Sequence, residues 1–128
     1  MNNDVFSKIA EIKSILSDDF KNMQSFEDFR NWKLNELVRF DNGVEVTKLL
    51  DVKNHMRFLT TIPCRVSFKN HWHDCVEVCS VVSGILSDKL KHRSAKINEK
   101  IAYSIGEQHE PFNPSYSENC VLIVDFYK

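Results

Sequence analysis

His71-Trp72-His73-Asp74-Cys75-Val76-Glu77-Val78-Cys79-Ser80-Val81-Val82-Ser83-Gly84 is the stretch whose reading decides the fold. Its second half is a short apolar run closed by glycine, the pattern of a strand that ends in a turn. Strand side chains alternate between faces, so His71 and His73 point the same way. Glu77 shares their parity and can join them along one continuous strand or across a tight turn. Two imidazoles and a carboxylate on one inward face form a metal-ligand set rather than a solvated surface.

A second stretch complements the first. Ser104-Ile105-Gly106-Glu107-Gln108-His109 puts a glycine turn ahead of another histidine, with Asn113 four residues on. From a neighbouring strand, His109 can close the site. Gly43, Gly84 and Gly106 are the only glycines of the chain, so each marks a place where the backbone needs one.

Outward from these stretches the chain reads as strands. Runs at 34–40 and 44–50 flank Asp41-Asn42-Gly43, and an Asn-Gly pair in that setting predicts a hairpin. A helix over 34–40 is the competing reading. Further short runs at 56–61, 64–69, 76–83, 85–91, 96–103 and 120–127 are separated by polar turns, which suggests a sandwich or barrel. Before them, Val5, Ile9, Ile12, Leu16, Phe20 and Met23 form a helical stripe, so residues 4 to about 24 predict an amphipathic helix. Ser25 and Asp28 resemble a helix start, and a short second helix through Phe26 and Phe29 follows. Residues 1–33 thus form a helical extension that packs on the barrel or on a partner, and residues 34–128 form one β-domain.

Composition narrows the function classes. The chain has 128 residues, 42% hydrophobic and 27% charged, and a formal net charge of -1. Such a balance offers no basic field for nucleic acid or anionic lipid. No run reaches the roughly 18 apolar residues of a membrane span. Met1-Asn2-Asn3-Asp4 lacks the basic and apolar regions of a secretory signal, so the expected location is the cytoplasm. In that compartment Cys64, Cys75, Cys79 and Cys120 are expected as thiols.

His71-x-His73-x3-Glu77-x6-Gly84 and Ser104-x-Gly106-x2-His109-x3-Asn113 resemble the two motifs of the cupin superfamily. Three turn positions depart from the family pattern. Arg65 and Asn98 stand where the motifs usually open with glycine, and Ser104 stands for a proline. The interval from Gly84 to Asn98 is short for the family, which implies a tight hairpin around His92-Arg93-Ser94. The resemblance implies an all-β, double-stranded β-helix barrel, jelly-roll-like, with a metal in its mouth. It implies His71, His73, Glu77 and His109 as the ligands, and small cupins commonly form homodimers. Three imidazoles and a carboxylate suit zinc, nickel, iron, manganese or copper and leave positions for water or a small-molecule substrate.

Two functions fit. One is a metal-dependent enzyme acting by dioxygenation, isomerisation or decarboxylation. The other is a non-catalytic sensory module, since the His71–Gly84 stretch also resembles sensory cupin domains of bacterial regulators. A structural zinc site built from Cys75, Cys79, His71 and His73 would strand Glu77 and His109, and ranks lower.

The remaining candidates have plainer roles. Asp74, Glu107 and Glu110 are expected as solvated turn residues, and Asn113 as a turn-fixing residue. Trp72 points away from the site. His55 and His92 are expected at the surface or in turns, and Cys64 and Cys120 in the core. Cys75 or Cys79 can face the pocket. The candidate lining residues are Phe58, Cys64, Val66, Phe68, Cys79, Phe112 and Phe126.

Overall fold

The computed structural model describes residues 23–128. Its main layer is a six-stranded antiparallel sheet. The strands are β2 (Leu37–Arg39), β3 (Glu45–Val52), β4 (His55–Ile62), β6 (Val76–Ser83), β9 (Lys100–Tyr103) and β11 (Cys120–Tyr127), in the order β2-β3-β4-β11-β6-β9. Alternation sets its inner face: Met56, Phe58, Thr60 and Ile62 of β4 are buried, as are Leu122, Val124 and Phe126 of β11. Glu77, Cys79 and Val81 of β6 continue that face. In register, Glu77 lies between Phe126 on β11 and Tyr103 on β9. The sheet therefore carries the carboxylate at a fixed height on its inner wall.

A second layer covers this face. Strands β7 (Leu86–Asp88), β8 (Arg93–Ala95) and β10 (Pro111–Phe112) form a three-stranded sheet. Leu86 and Ala95 join the same hydrophobic core as Phe58 and Val124. Two sheets around one core make the expected all-β barrel. The remaining pair is parallel: β1 (Met23–Gln24) against β5 (Trp72–His73).

The turn chemistry follows the sequence. The β2–β3 hairpin closes at Gly43, whose φ is 91° and whose N–H donates to the Phe40 carbonyl at 3.0 Å. The β7–β8 hairpin turns at His92, φ 53°. Arg65 and Asn98 adopt the left-handed conformation, with φ of 63° and 70°. Those are the places where the resembled motifs open with glycine, so the backbone keeps the turns without glycine, at a strain of about 1–2 kcal/mol for a residue such as Arg65.

Gly84 has a firmer requirement. Its φ is 80°, and a Cβ there would lie 2.4 Å from the Asn119 carbonyl oxygen and 3.0 Å from the Cys120 Cα. Gly106 has φ 76° and open space around the same position. Gly84→Ala is therefore expected to lower unfolding stability by about 3 kcal/mol, and Gly106→Ala by about 1 kcal/mol. Urea unfolding of both variants checks the ranking, and equal losses would contradict it.

Several expectations are corrected. The run at 64–69 is not a strand. Pro63 leads into a turn at Cys64-Arg65, and pairing is limited to a single bridge between Ser67 and Phe112. Phe68 N–H donates to the Pro111 carbonyl at 2.9 Å, but Pro111 has no N–H to return the bond. Residues 34–40 are not helical, because Leu37–Arg39 pairs with Glu45–Thr47. The amphipathic helix expected at 4 to about 24 falls outside the described residues except for Met23 and Gln24, which are strand. The short helix is present as α1 (Phe26–Phe29), with a capping box between Ser25 and Asp28.

Residues 23–32 are tied to the barrel by polar bonds. Asp74 accepts the Phe26 N–H at 2.7 Å and the Lys128 ammonium at 3.1 Å, so it is not a solvated turn residue. Lys48 points inward from β3 and is fully buried. Its ammonium donates to the carbonyls of Phe29 (2.8 Å), Trp32 (3.1 Å) and Arg30 (3.4 Å) and pairs with Asp51. Arg30 bridges back to Asp51 at 2.5 Å and to the Val52 carbonyl at 3.0 Å. Together these bonds satisfy the carbonyls that a four-residue helix leaves open at its end.

Candidate metal centre

The two sequence stretches meet through their backbones. His71 and His109 exchange both backbone hydrogen bonds, at 3.0 and 2.9 Å, and the Gly106 N–H donates to the His73 carbonyl at 2.9 Å. The chain breaks from strand at Asp74-Cys75 and resumes in β6, so Glu77 joins the histidines across a turn. His71, His73, Glu77 and His109 are all buried. Candidate ligand nitrogens of the three histidines lie within 4.8 Å of one another. The Glu77 carboxylate reaches two of them, Oε1 at 3.3 Å from His73 Nε2 and Oε2 at 3.3 Å from His109 Nε2.

Hydrogen bonding fixes how the rings present themselves. His71 Nδ1 lies 2.6 Å from the Lys69 carbonyl, His73 Nδ1 3.0 Å from that of Gln24, and His109 Nδ1 2.9 Å from that of Glu107. A carbonyl only accepts, so each Nδ1 carries the proton and each neutral ring keeps a lone pair on Nε2. The Nε2 atoms of His73 and His109 are buried and have no hydrogen-bond partner. Their contacts with Glu77 are close enough for an ion pair but are not aligned as hydrogen bonds. Buried lone pairs facing a carboxylate repel it, and a cation between them removes that repulsion.

The titration directions agree. Burial, then the charges of His109 and His73, holds the His71 imidazole well below its ordinary value. Burial also lowers that of His109. For Glu77, burial works against the charged form, but positive charge on His109, the His73 contact, and positive charge on His73 and His71 outweigh it whenever those rings are protonated, and bring the carboxyl down to about 2. A metal ion requires neutral imidazoles at its histidine ligands, and the lowered values of His71 and His109 fit that requirement.

Support for the cluster comes from residues that the sequence did not single out for it. The Tyr103 ring stacks on His109 with centroids 4.1 Å apart, and its hydroxyl donates to Asp88 at 2.5 Å. Asp88 is buried and also accepts the N–H groups of Leu90 and Lys91, at 2.8 and 2.9 Å. Glu107 accepts the Ser104 N–H at 2.9 Å and pairs with Arg93 at 3.1 Å, so it braces the turn before His109. Asn113 fixes a turn as expected: its amide donates to the carbonyls of Ile62 (2.9 Å) and Glu118 (2.8 Å) and accepts the Ser115 N–H.

A cavity of about 90 Å³ opens beside the cluster, against the inner face of the large sheet. Of the candidate lining residues, Phe58, Phe68, Cys79 and Phe126 line it, and Cys64, Val66 and Phe112 do not. Gln24, Phe29 and Trp32, from residues assigned to the extension, also form its wall. Their part has no local signal, because it depends on the Lys48 and Asp74 contacts made far along the chain. Cys79 Sγ lies 3.5 Å from Glu77 Oε2. Burial first, and then the Glu77 charge, push that thiol well above its ordinary value, which disfavours a reactive thiolate. Cys75 is buried but is not part of the cavity wall. Cys64 is only half-buried and outside the core, against expectation, because it sits in the turn after Pro63. His55 lies at the start of β4, where its Nε2 pairs with Asp125 at 2.6 Å and its ring stacks on Tyr127.

No protein-family profile matches the chain, and no curated protein does. Solved structures do match. An RmlC-like cupin from Shewanella frigidimarina superposes with a TM-score of 0.64 at 16% identity, over 73% of this chain and 83% of that one. An acetylacetone dioxygenase from Acinetobacter johnsonii gives 0.62 at 18% identity, over 75% and 70%. The Cupin_2 domain of an XRE family transcriptional regulator from Enterobacter cloacae gives 0.58 at 16% identity, over 66% and 96%. At such identities the likeness is one of fold. Among the described residues, no helix is long and apolar enough to cross a membrane.

Proposed function

From the premise that this chain has the cupin fold, we propose that His71, His73, Glu77 and His109 bind one divalent transition metal, and that the protein is a metal-dependent enzyme acting on a small molecule. The observation that carries this reading is the set of three Nδ1-to-carbonyl bonds, which leaves each Nε2 free, those of His73 and His109 buried beside Glu77. A bound metal would supply Lewis acidity and open coordination positions. The chain's own residues do the rest. The Gln24 carbonyl orients His73, Tyr103 and Asp88 hold the plane of His109, and the aromatic wall gives the cavity an apolar lining.

One observation favours a second reading, a sensor that binds a ligand without converting it. Among the described residues of the wall, Cys79 is the one titratable side chain besides the proposed ligands, and its thiol is held protonated. The wall thus offers no ready general base. The similarity to a regulator's domain concerns fold and is compatible with either reading. A substrate screen on metal-loaded protein separates the two. Product formation that stops with chelation and in His73→Ala supports the enzyme. Ligands that raise the melting temperature and are recovered unchanged support the sensor.

A further inference from the structure

We propose that the cavity beside the four-residue cluster selects a small monoanion with an apolar body. The inference rests on the metal reading above and deepens it to a class of ligand. Charge is the first argument. Among the described residues, Glu77 is the one carboxylate on the wall, and no lysine or arginine lines it. An imidazole that gives its Nε2 lone pair to a metal is neutral, so three such rings, one carboxylate and a divalent ion leave a single positive charge, which one anionic group neutralises. A second anionic group on the ligand would be buried without a counter-charge, at a cost of several kcal/mol. Lys48 cannot supply one, since its ammonium is committed to three backbone carbonyls and Asp51.

Size and wall chemistry point the same way. A cavity of about 90 Å³ is small, so the enclosed body of a ligand has few non-hydrogen atoms. Phe58 and Phe126 meet edge to face at 5.7 Å, and Phe29 stacks on Phe126 at 4.6 Å, which leaves an aromatic surface for an apolar body. Gln24 and Thr60, only 6% and 5% exposed, are the neutral amide and hydroxyl on that wall. They can serve one or two ligand oxygens, and a polyol would leave hydroxyls unbonded. Phosphate esters and dicarboxylates fail on charge, and sugars on hydroxyl count.

Cobalt(II)-loaded protein provides the test, with visible absorption as the readout. The probes are 3-methylbutanoate, succinate and glycerol 3-phosphate. The expected result is that 3-methylbutanoate perturbs the cobalt bands at a concentration at least about tenfold lower than either dianion. Val46→Phe, which fills the wall, is expected to weaken 3-methylbutanoate by a similar factor and leave the unliganded spectrum unchanged. The probe comparison on the unaltered protein stands alone if that variant does not fold. Cobalt uptake with succinate or glycerol 3-phosphate binding as well as 3-methylbutanoate overturns the ligand class alone. Failure to take up cobalt overturns both this inference and the metal reading.

Discussion

Replacing Lys48 with methionine is expected to lower unfolding stability by about 3–5 kcal/mol, the largest single-site loss anticipated for this chain outside the aromatic core. Methionine matches the length of the buried stem but donates nothing. The carbonyls of Phe29, Arg30 and Trp32 lose their ammonium partner, and Asp51 keeps only Arg30. The effect reaches the site as well. Residues 24–32 supply the carbonyl that orients His73 and two aromatic walls of the cavity. Loosening them is expected to weaken metal binding by about tenfold, as loss of an orienting contact commonly does. Urea unfolding and zinc titration of Lys48→Met measure the two effects. A variant with unchanged stability would show that the buried ammonium is dispensable to the fold.

The second large effect has opposite signs in its two readouts. Glu77→Gln keeps the shape of the side chain, removes its charge and adds two N–H donors. Metal affinity is expected to fall by at least about a hundredfold, since an anionic ligand becomes a neutral one. The metal-free protein is expected to gain about 1 kcal/mol at pH 8, because the new amide can donate to an Nε2 lone pair of His73 or His109 that now has no partner. A residue retained against stability is a mark of function rather than packing. Glu77→Gln that destabilises the metal-free protein would instead identify Glu77 as a structural acceptor. Calorimetry with and without metal reads both arms.

How much of this was legible in the sequence depended on range. Alternation put His71 and His73 on one face because strand parity is local, whereas Glu77 joins them across the turn at Asp74-Cys75 and His109 was named mainly by the resemblance to the second motif. The runs 76–83 and 120–127 correspond to β6 and β11, and Asn42-Gly43 turns the first hairpin. The run at 64–69 misled because apolar content alone does not show that Pro111, across the gap, lacks the N–H needed to extend pairing. Lys48 was unreadable for a related reason. A lysine inside a strand pattern belongs on the solvated face unless distant carbonyls collect around it, and those come from Phe29 to Trp32. The Asp125 partner of His55 and the Tyr103–Asp88 support of His109 are likewise contacts between strands distant in sequence. Parity and motif resemblance named the cluster, and the long-range bonds that hold its rings in place became visible only in three dimensions.

Elemental analysis of protein purified without a metal-affinity tag, followed by reconstitution with zinc, nickel, iron, manganese or copper, tests the central claim most directly. About one equivalent of a single transition metal per chain is expected, retained on desalting and lost in His109→Ala. Less than about a tenth of an equivalent of every metal, with no uptake on reconstitution, would contradict it.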